Sequence, residues 1–111
     1  MRMIKTFLAA FAALALLISC KSTEKEAVNH NYMWFDCEAN YATLSHPDSI
    51  RYYLQKSKDL GFGNVVVDVK SIMGEVLYDS EIAPYMGDWE GVERARDYDM
   101  LGYFIEYGHE M

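Results

Sequence analysis

Asn64-Val65-Val66-Val67-Asp68-Val69-Lys70 is a β-branched run set between glycine punctuation (Gly61, Gly63) and a polar segment, the pattern of a buried strand. Val65, Val67 and Val69 give it one wholly apolar face, whereas Val66, Asp68 and Lys70 give it a face that turns polar toward its C-terminal end. Immediately upstream, Ile50, Tyr53, Leu54, Ser57 and Leu60 recur at helical spacing, with Arg51, Lys56 and Lys58 outside the stripe. Ser45-His46-Pro47-Asp48 supplies a helix start: Ser45 as the expected cap, Pro47 in the first turn, Asp48 near the positive end of the dipole. Gly61 ends the helix as a left-handed cap would. Further back, Tyr32-Met33-Trp34-Phe35-Asp36-Cys37-Glu38 alternates, with Met33, Phe35 and Cys37 on one face and Trp34, Asp36 and Glu38 on the other, which predicts another strand.

Two strands joined by one crossover helix of this length are expected to be parallel neighbours. Downstream, Ser71 to Asp97 is long for a connection, a length normally tolerated where a loop carries function. Within it, Gly74 to Asp79 is expected to form a short hairpin arm, and Trp89, between Gly87-Asp88 and Glu90-Gly91, is the aromatic best placed for exposure. Asp99 then caps a final helix whose apolar positions read as Leu101, Phe104 and Ile105, with Tyr107 and Met111 as further members. Two strands and two helices leave sheet edges uncovered, and polar residues appearing late on one face of each strand suit the C-terminal mouth of a barrel.

The whole chain has 111 residues and a formal charge of −7. Residues 1–19 read as an export signal: Arg2 and Lys5 precede an apolar run, Phe7 to Ile18, too short for a comfortable membrane span. Removing them takes away two basic residues and no acidic ones, moving the charge from −7 to −9. Such a balance argues against nucleic acid, whose binding rests on Lys and Arg neutralising phosphates. Leu17-Ile18-Ser19-Cys20 resembles the lipobox of bacterial lipoproteins, which implies lipidation at Cys20 and attachment to the cell envelope, the outer membrane being favoured by the absence of Asp after Cys20. Residues 20–31 are polar, mixed in charge and without periodicity, and read as a tether; residues 32–111 form the body. With Cys20 lipidated, Cys37 is the remaining thiol, so no intrachain disulfide forms, and the absence of a Cys/His pairing signature makes Cys37 a buried side chain in preference to a nucleophile.

Three segments carry a family resemblance: WFDCEANY around the first strand, DLGFGNVVVDVKSIMGEVLYDSEIAP around the second, and YDMLGYFIEYGHEM at the end. Together they resemble the opening of the family-10-like bacterial glycosyl hydrolases, often lipoproteins. The resemblance implies the first two β/α units of a (β/α)8 TIM barrel acting on glycosidic bonds, with a carbohydrate substrate. Such barrels take about 250 residues, so the chain is expected to be an N-terminal part of a larger enzyme, inactive alone, with the catalytic acid and nucleophile outside it.

Glycoside hydrolysis needs two carboxyl groups flanking the bond. Asp36, Glu38 and Asp68 are the carboxylates expected near the mouth, either as substrate-positioning groups or as one half of a structural ion-pair layer with Lys70. Asn40 and Lys70 suit hydrogen bonds to sugar hydroxyls, and Tyr78, Tyr85 and Trp89 offer aromatic faces for sugar rings, or else pack the loop onto the body. No cofactor and no metal site are expected: Glu106-x-x-His109 lacks the second such pair that a carboxylate metal centre needs, and the histidines are not spaced as ligands. Two functions remain: the start of a lipid-anchored glycosidase, or a non-catalytic surface lipoprotein binding glycan or a partner through its aromatic loop.

Overall fold

The computed structural model describes residues 29–111. The expected signal, the expected lipidation site at Cys20 and most of the expected tether lie outside the described residues. Strand β1 (Tyr32–Phe35) and strand β2 (Asn64–Val67) pair in parallel, with Trp34 opposite Val66 and Phe35 opposite Val67. Between them run a short 3-10 turn (Thr43–Ser45) and helix α1 (Pro47–Asp59). A second sheet, β3 (Asp88–Trp89) antiparallel to β4 (Val92–Glu93), precedes helix α2 (Met100–Glu110).

The expectation of the first two units of a (β/α)8 barrel is thus overturned. The described residues form a small mixed α/β body of two helices and two separate two-stranded sheets. Closing a barrel takes tilted strands paired all the way round, and here one parallel pair is followed by an antiparallel hairpin in its own sheet. The segment after β2 does not leave for a neighbouring strand position. It folds back, with Leu77 donating its N–H to the Val69 carbonyl, and buries Val76, Leu77 and Met86.

Helix α1 begins with Pro47 at its first position, where the missing N–H costs nothing. Ser45 does not cap it; His46 occupies the cap position without a side-chain hydrogen bond, and the Ser45 hydroxyl is committed elsewhere. The other end is a Schellman closure: Gly61, at φ +90°, donates to Lys58 O at 2.9 Å and Phe62 donates to Ser57 O at 3.0 Å. Of the expected stripe, Ile50, Leu54 and Ser57 are buried, while Tyr53 and Leu60 face solvent. In α2, Asp99 caps as expected, accepting from Gly102 N–H at 2.8 Å. The buried side of that helix runs through Met100 and Phe104, joined by Tyr103, Tyr107 and Met111, and Ile105 is exposed. Both stripes have i, i+3, i+4 spacing; the contact of α2 with α1 selects between them. Arg51 lies 3.9 Å over the Tyr107 ring and pairs with Glu110 at 2.8 Å.

The core gathers Phe35, Cys37, Tyr41, Leu44, Ile50, Leu54, Leu77, Met86, Met100 and Phe104. Phe35 meets Phe104 edge-on, centroids 4.9 Å apart. Asn29, at the end of the tether, is stitched to the body by donating to Gly61 O and accepting, through its own carbonyl, from Asn64. Its side chain passes so close to Gly63 that a Cβ there would sit 2.8 Å away, which accounts for glycine at that position.

Candidate functional site

Strand β1 stops at Phe35 because the next residue changes the backbone's hydrogen-bonding partner. Asp36 Oδ1 accepts from Glu38 N–H at 2.9 Å and from Ala39 N–H at 2.7 Å, a local turn that competes with the ladder. Asn40 then donates its side-chain amide to the Asp36 carbonyl at 3.0 Å. Strand β2 adds one more ladder bond, Asp68 N–H to Phe35 O at 2.9 Å, so Asp68 stands beside this turn. The Glu38 carboxylate reaches across to accept from Ile72 N–H at 2.8 Å and holds down the loop after β2. Asp36, Glu38 and Asp68, from two strands distant in sequence, therefore meet at the C-terminal end of the parallel pair.

Their common neighbour is Cys37. Burial pushes its thiol up to about 11, with Asp68, Glu38 and Asp36 adding to the rise in that order. A thiol protonated at neutral pH and fully buried is a packing group, not a nucleophile.

The three carboxylates are not equally free. Asp36 and Glu38 each spend an oxygen on backbone N–H groups. Asp68, half-buried, receives only a long 3.4 Å contact from Lys70 N–H, and so keeps most of its acceptor capacity. Lys70 is exposed and points its ammonium at the Ser71 carbonyl, 3.4 Å away. The ion-pair layer between Lys70 and these acids does not form; the one ion pair among the described residues is Arg51–Glu110.

The expected aromatic loop is built differently. Over Gly74 to Asp79 the expected arm is reduced to a short hairpin turn held in the body: Ser71 to Glu75 closes it with Gly74 at φ +92°, Val76 lies antiparallel to Lys70, and its other side bridges Tyr85. A further hairpin, β3–β4, turns through Glu90 (φ +50°) and Gly91 (φ +82°). Trp89 is therefore half-buried and packed on the core, not the exposed ring expected. Tyr78 is half-buried as well, and Tyr85 donates its hydroxyl to the Tyr98 carbonyl at 2.8 Å. No hydrogen bond among the described residues joins Tyr78 or Trp89 to the strand-end carboxylates. The exposed indole is Trp34 in β1, at 65%.

Arg94 was invisible in the sequence and organises this loop. It is buried at 7% exposure, just after β4. Its guanidinium donates to Ser45 Oγ (3.0 and 2.9 Å) and Tyr41 O (2.9 Å), and lies 3.9 Å over the Tyr41 ring and 5.1 Å from that of Tyr98. Tyr41 in turn donates to Met86 O and Tyr98 to Leu44 O. Burial raises the phenols of Tyr41, Tyr85 and Tyr98, the last to about 12, with Arg94 opposing, so all three remain donors. The charge of Arg94 is met by π faces, one carbonyl oxygen and one hydroxyl oxygen in place of a carboxylate. No local periodicity announces this role, since Glu93, Arg94 and Arg96 look alike in a polar stretch.

At the other end of the sheet, a cavity of about 220 Å³ opens between the helix ends, lined by Leu54, Phe62, Val65, Gly108 and Met111 with Lys58 and Asn64 at its rim. Among the described residues no cluster of three Asp, Glu, His or Cys side chains is arranged to hold a metal ion, and no helix is long and apolar enough to cross a membrane.

The chain is similar to an S-layer-related protein of Niallia circulans, with 31% identity over 96 residues. The match covers 81% of this chain but 6% of that protein's length. No protein-family model matches the chain. No solved structure matches it.

Proposed function

We propose that this chain is a carbohydrate-engaging part of a glycoside hydrolase held at the cell surface, of the kind that the family-10-like resemblance implies. The observation that carries the reading is the convergence of Asp36, Glu38 and Asp68 at one end of the parallel strands, where Asp68 keeps acceptor capacity for sugar hydroxyls. A surface location is supported by likeness to a protein described as S-layer-related, lipid attachment at Cys20 by the lipobox-like sequence before it, and the outer membrane by the absence of Asp after Cys20.

The acid and nucleophile that cleave the bond are not assigned to Asp36 or Glu38. A carboxylate oxygen already accepting from backbone N–H groups is spent on holding its turn or loop. That same commitment favours a second reading, in which the chain binds glycan and cleaves nothing.

Two measurements test the proposal. The full chain, run in native gels containing soluble plant and microbial polysaccharides, is expected to be retarded by at least one of them, and Asp68→Asn is expected to weaken the retardation. Migration unchanged by every polysaccharide would overturn the carbohydrate reading. Expressed in a bacterium fed labelled palmitate, the chain is expected to take up label and enter the membrane fraction, and Cys20→Ser to abolish both; label that persists in the variant would overturn the anchor.

A further inference from the structure

Among the described residues the helices cover one face of the β1–β2 sheet, and no helix covers the other. Strand alternation puts Tyr32 and Trp34 of β1 on that side, opposite Asn64 and Val66 of β2. Tyr32 is 58% and Trp34 65% exposed, a large apolar area to leave in water beside a well-packed core. Asp68 follows Val66 by two residues on the same side, so the aromatic surface runs toward the carboxylate with spare acceptor capacity.

This pairing matches one ligand chemistry closely. A pyranose ring has a face of C–H groups and a rim of hydroxyls. It gains by laying the first on a flat aromatic ring and donating the second to a carboxylate. A purely apolar partner would leave Asp68 desolvated and unpaired, which is costly. The charge of the patch narrows the class further. Asp36, Glu38 and Asp68 stand at this end of the sheet, unpaired with Lys70, whose ammonium turns to the Ser71 carbonyl, in a chain of formal charge −7. A polymer of uronic acids would bring like charge against them.

We infer that this open face is a binding site for a neutral glycan, with one sugar ring stacked on Trp34 and hydroxyls donated to Asp68, and that it discriminates against acidic polysaccharides. The inference rests on the carbohydrate reading above and adds to it the contact residue and the charge class. Trp34 is exposed, so it can be replaced without opening the core.

The full chain is titrated with hydroxyethylcellulose, xylan and galactomannan as neutral polymers and with polygalacturonate and hyaluronate as acidic ones, following indole emission and binding. At least one neutral polymer is expected to bind and to shift an emission component that is absent from Trp34→Ala. Trp34→Ala is expected to weaken binding at least tenfold, Trp34→Tyr to keep most of it, and Asp68→Asn to weaken neutral binding while relieving the exclusion of acidic polymers. Neutral binding that survives Trp34→Ala unchanged overturns the stacking site while leaving the carbohydrate reading intact. Preference for the acidic polymers overturns the charge class, and binding of neither removes the carbohydrate reading together with this site. Sedimentation supplies a further check: a dimer that Trp34→Ala converts to monomer would assign the face to a second copy and overturn the glycan site.

Discussion

The two faces of the β1–β2 sheet are made from the same short strands, yet one is packed and the other is not. On the helix side, Phe35 is buried against Phe104, and Met33 and Val67 join the core. On the open side, Trp34 and Tyr32 carry more surface than any of these and bury less of it. Hydrophobicity alone therefore does not decide which side becomes core. The decision is made by the elements that return to the sheet: α1 and α2 come back to one face, and so does the loop bearing Leu77 and Met86.

The largest effect should separate these faces directly. Phe104→Ala removes the ring that packs on Phe35 and should cost about 3–5 kcal/mol of stability, whereas Trp34→Ala should fall within about 0.5 kcal/mol of the wild type. Urea unfolding of the two variants measures both. Comparable losses would mean that the open face is packed in solution, and the contrast would collapse.

Arg94 comes next, because it fastens the loop to the packed side. Arg94→Met keeps an unbranched apolar stem but leaves Ser45 Oγ without its donor and Tyr41 O without one of its two, inside the body. Losing charge-assisted hydrogen bonds to buried partners should cost about 2–3 kcal/mol. Arg94→Lys should recover part of that, since an ammonium has no planar fork to serve both oxygens and stack on Tyr41. Proteolysis at low protease concentration should find the 71–97 segment first in Arg94→Met. If cleavage there is no faster than in the wild type, Arg94 is not the fastening.

What sequence revealed divides along the same line. The strand β2 and its parallel partner, the helix from Pro47 and its Gly61 closure, and the Asp99 cap are all local patterns whose period or end signals suffice. Their side-chain detail was less legible: the stripe of α2 lies one step round from the apolar positions expected, because Arg51 and Tyr107 set the contact between helices. The turn expected around Gly74 closes there, with Val76 antiparallel to Lys70, but the hairpin at Glu90-Gly91 was not foreseen, because both are glycine-bearing polar turns with little apolar periodicity beside them. The barrel expectation failed on the same loop, whose return to the first sheet no periodicity marks. The meeting of Asp36, Glu38 and Asp68 followed from strand register and was legible. Which of them is spent on backbone N–H groups was not, because turns and loop pins are decided after the strands end.

Cys37 links the two faces, being buried on one side and raised in part by the carboxylates at the end of the other. A thiol whose folded value is about 11 against an ordinary 9.0 favours the folded state fully below pH 9 and loses that contribution as pH rises from 9 to about 11. Tyr98, raised from 10.0 to about 12, acts in the same direction only above pH 10. Thermal melts between pH 9 and 10 should therefore show a falling midpoint in the wild type and a flatter one in Cys37→Ala. Parallel slopes would mean that the thiol does not titrate differently on folding.

The smallest expected effect is a gain, at the tip of the β3–β4 hairpin. Glu90 sits at φ +50° beside Gly91 at φ +82°, the two left-handed positions of a two-residue hairpin turn. Glutamate pays steric strain there that asparagine largely avoids, and Asn-Gly is the favoured pair for this turn. Glu90→Asn should raise stability by about 1 kcal/mol without altering what Trp34 or Asp68 bind, since it changes neither sheet face. Because β4 leads directly into Arg94, whose N–H donates to Gly87 O at 2.7 Å across the hairpin, a stiffer turn should also protect that amide from exchange. Hydrogen exchange at Arg94 that is unchanged in Glu90→Asn would show that the hairpin and the arginine anchor open independently.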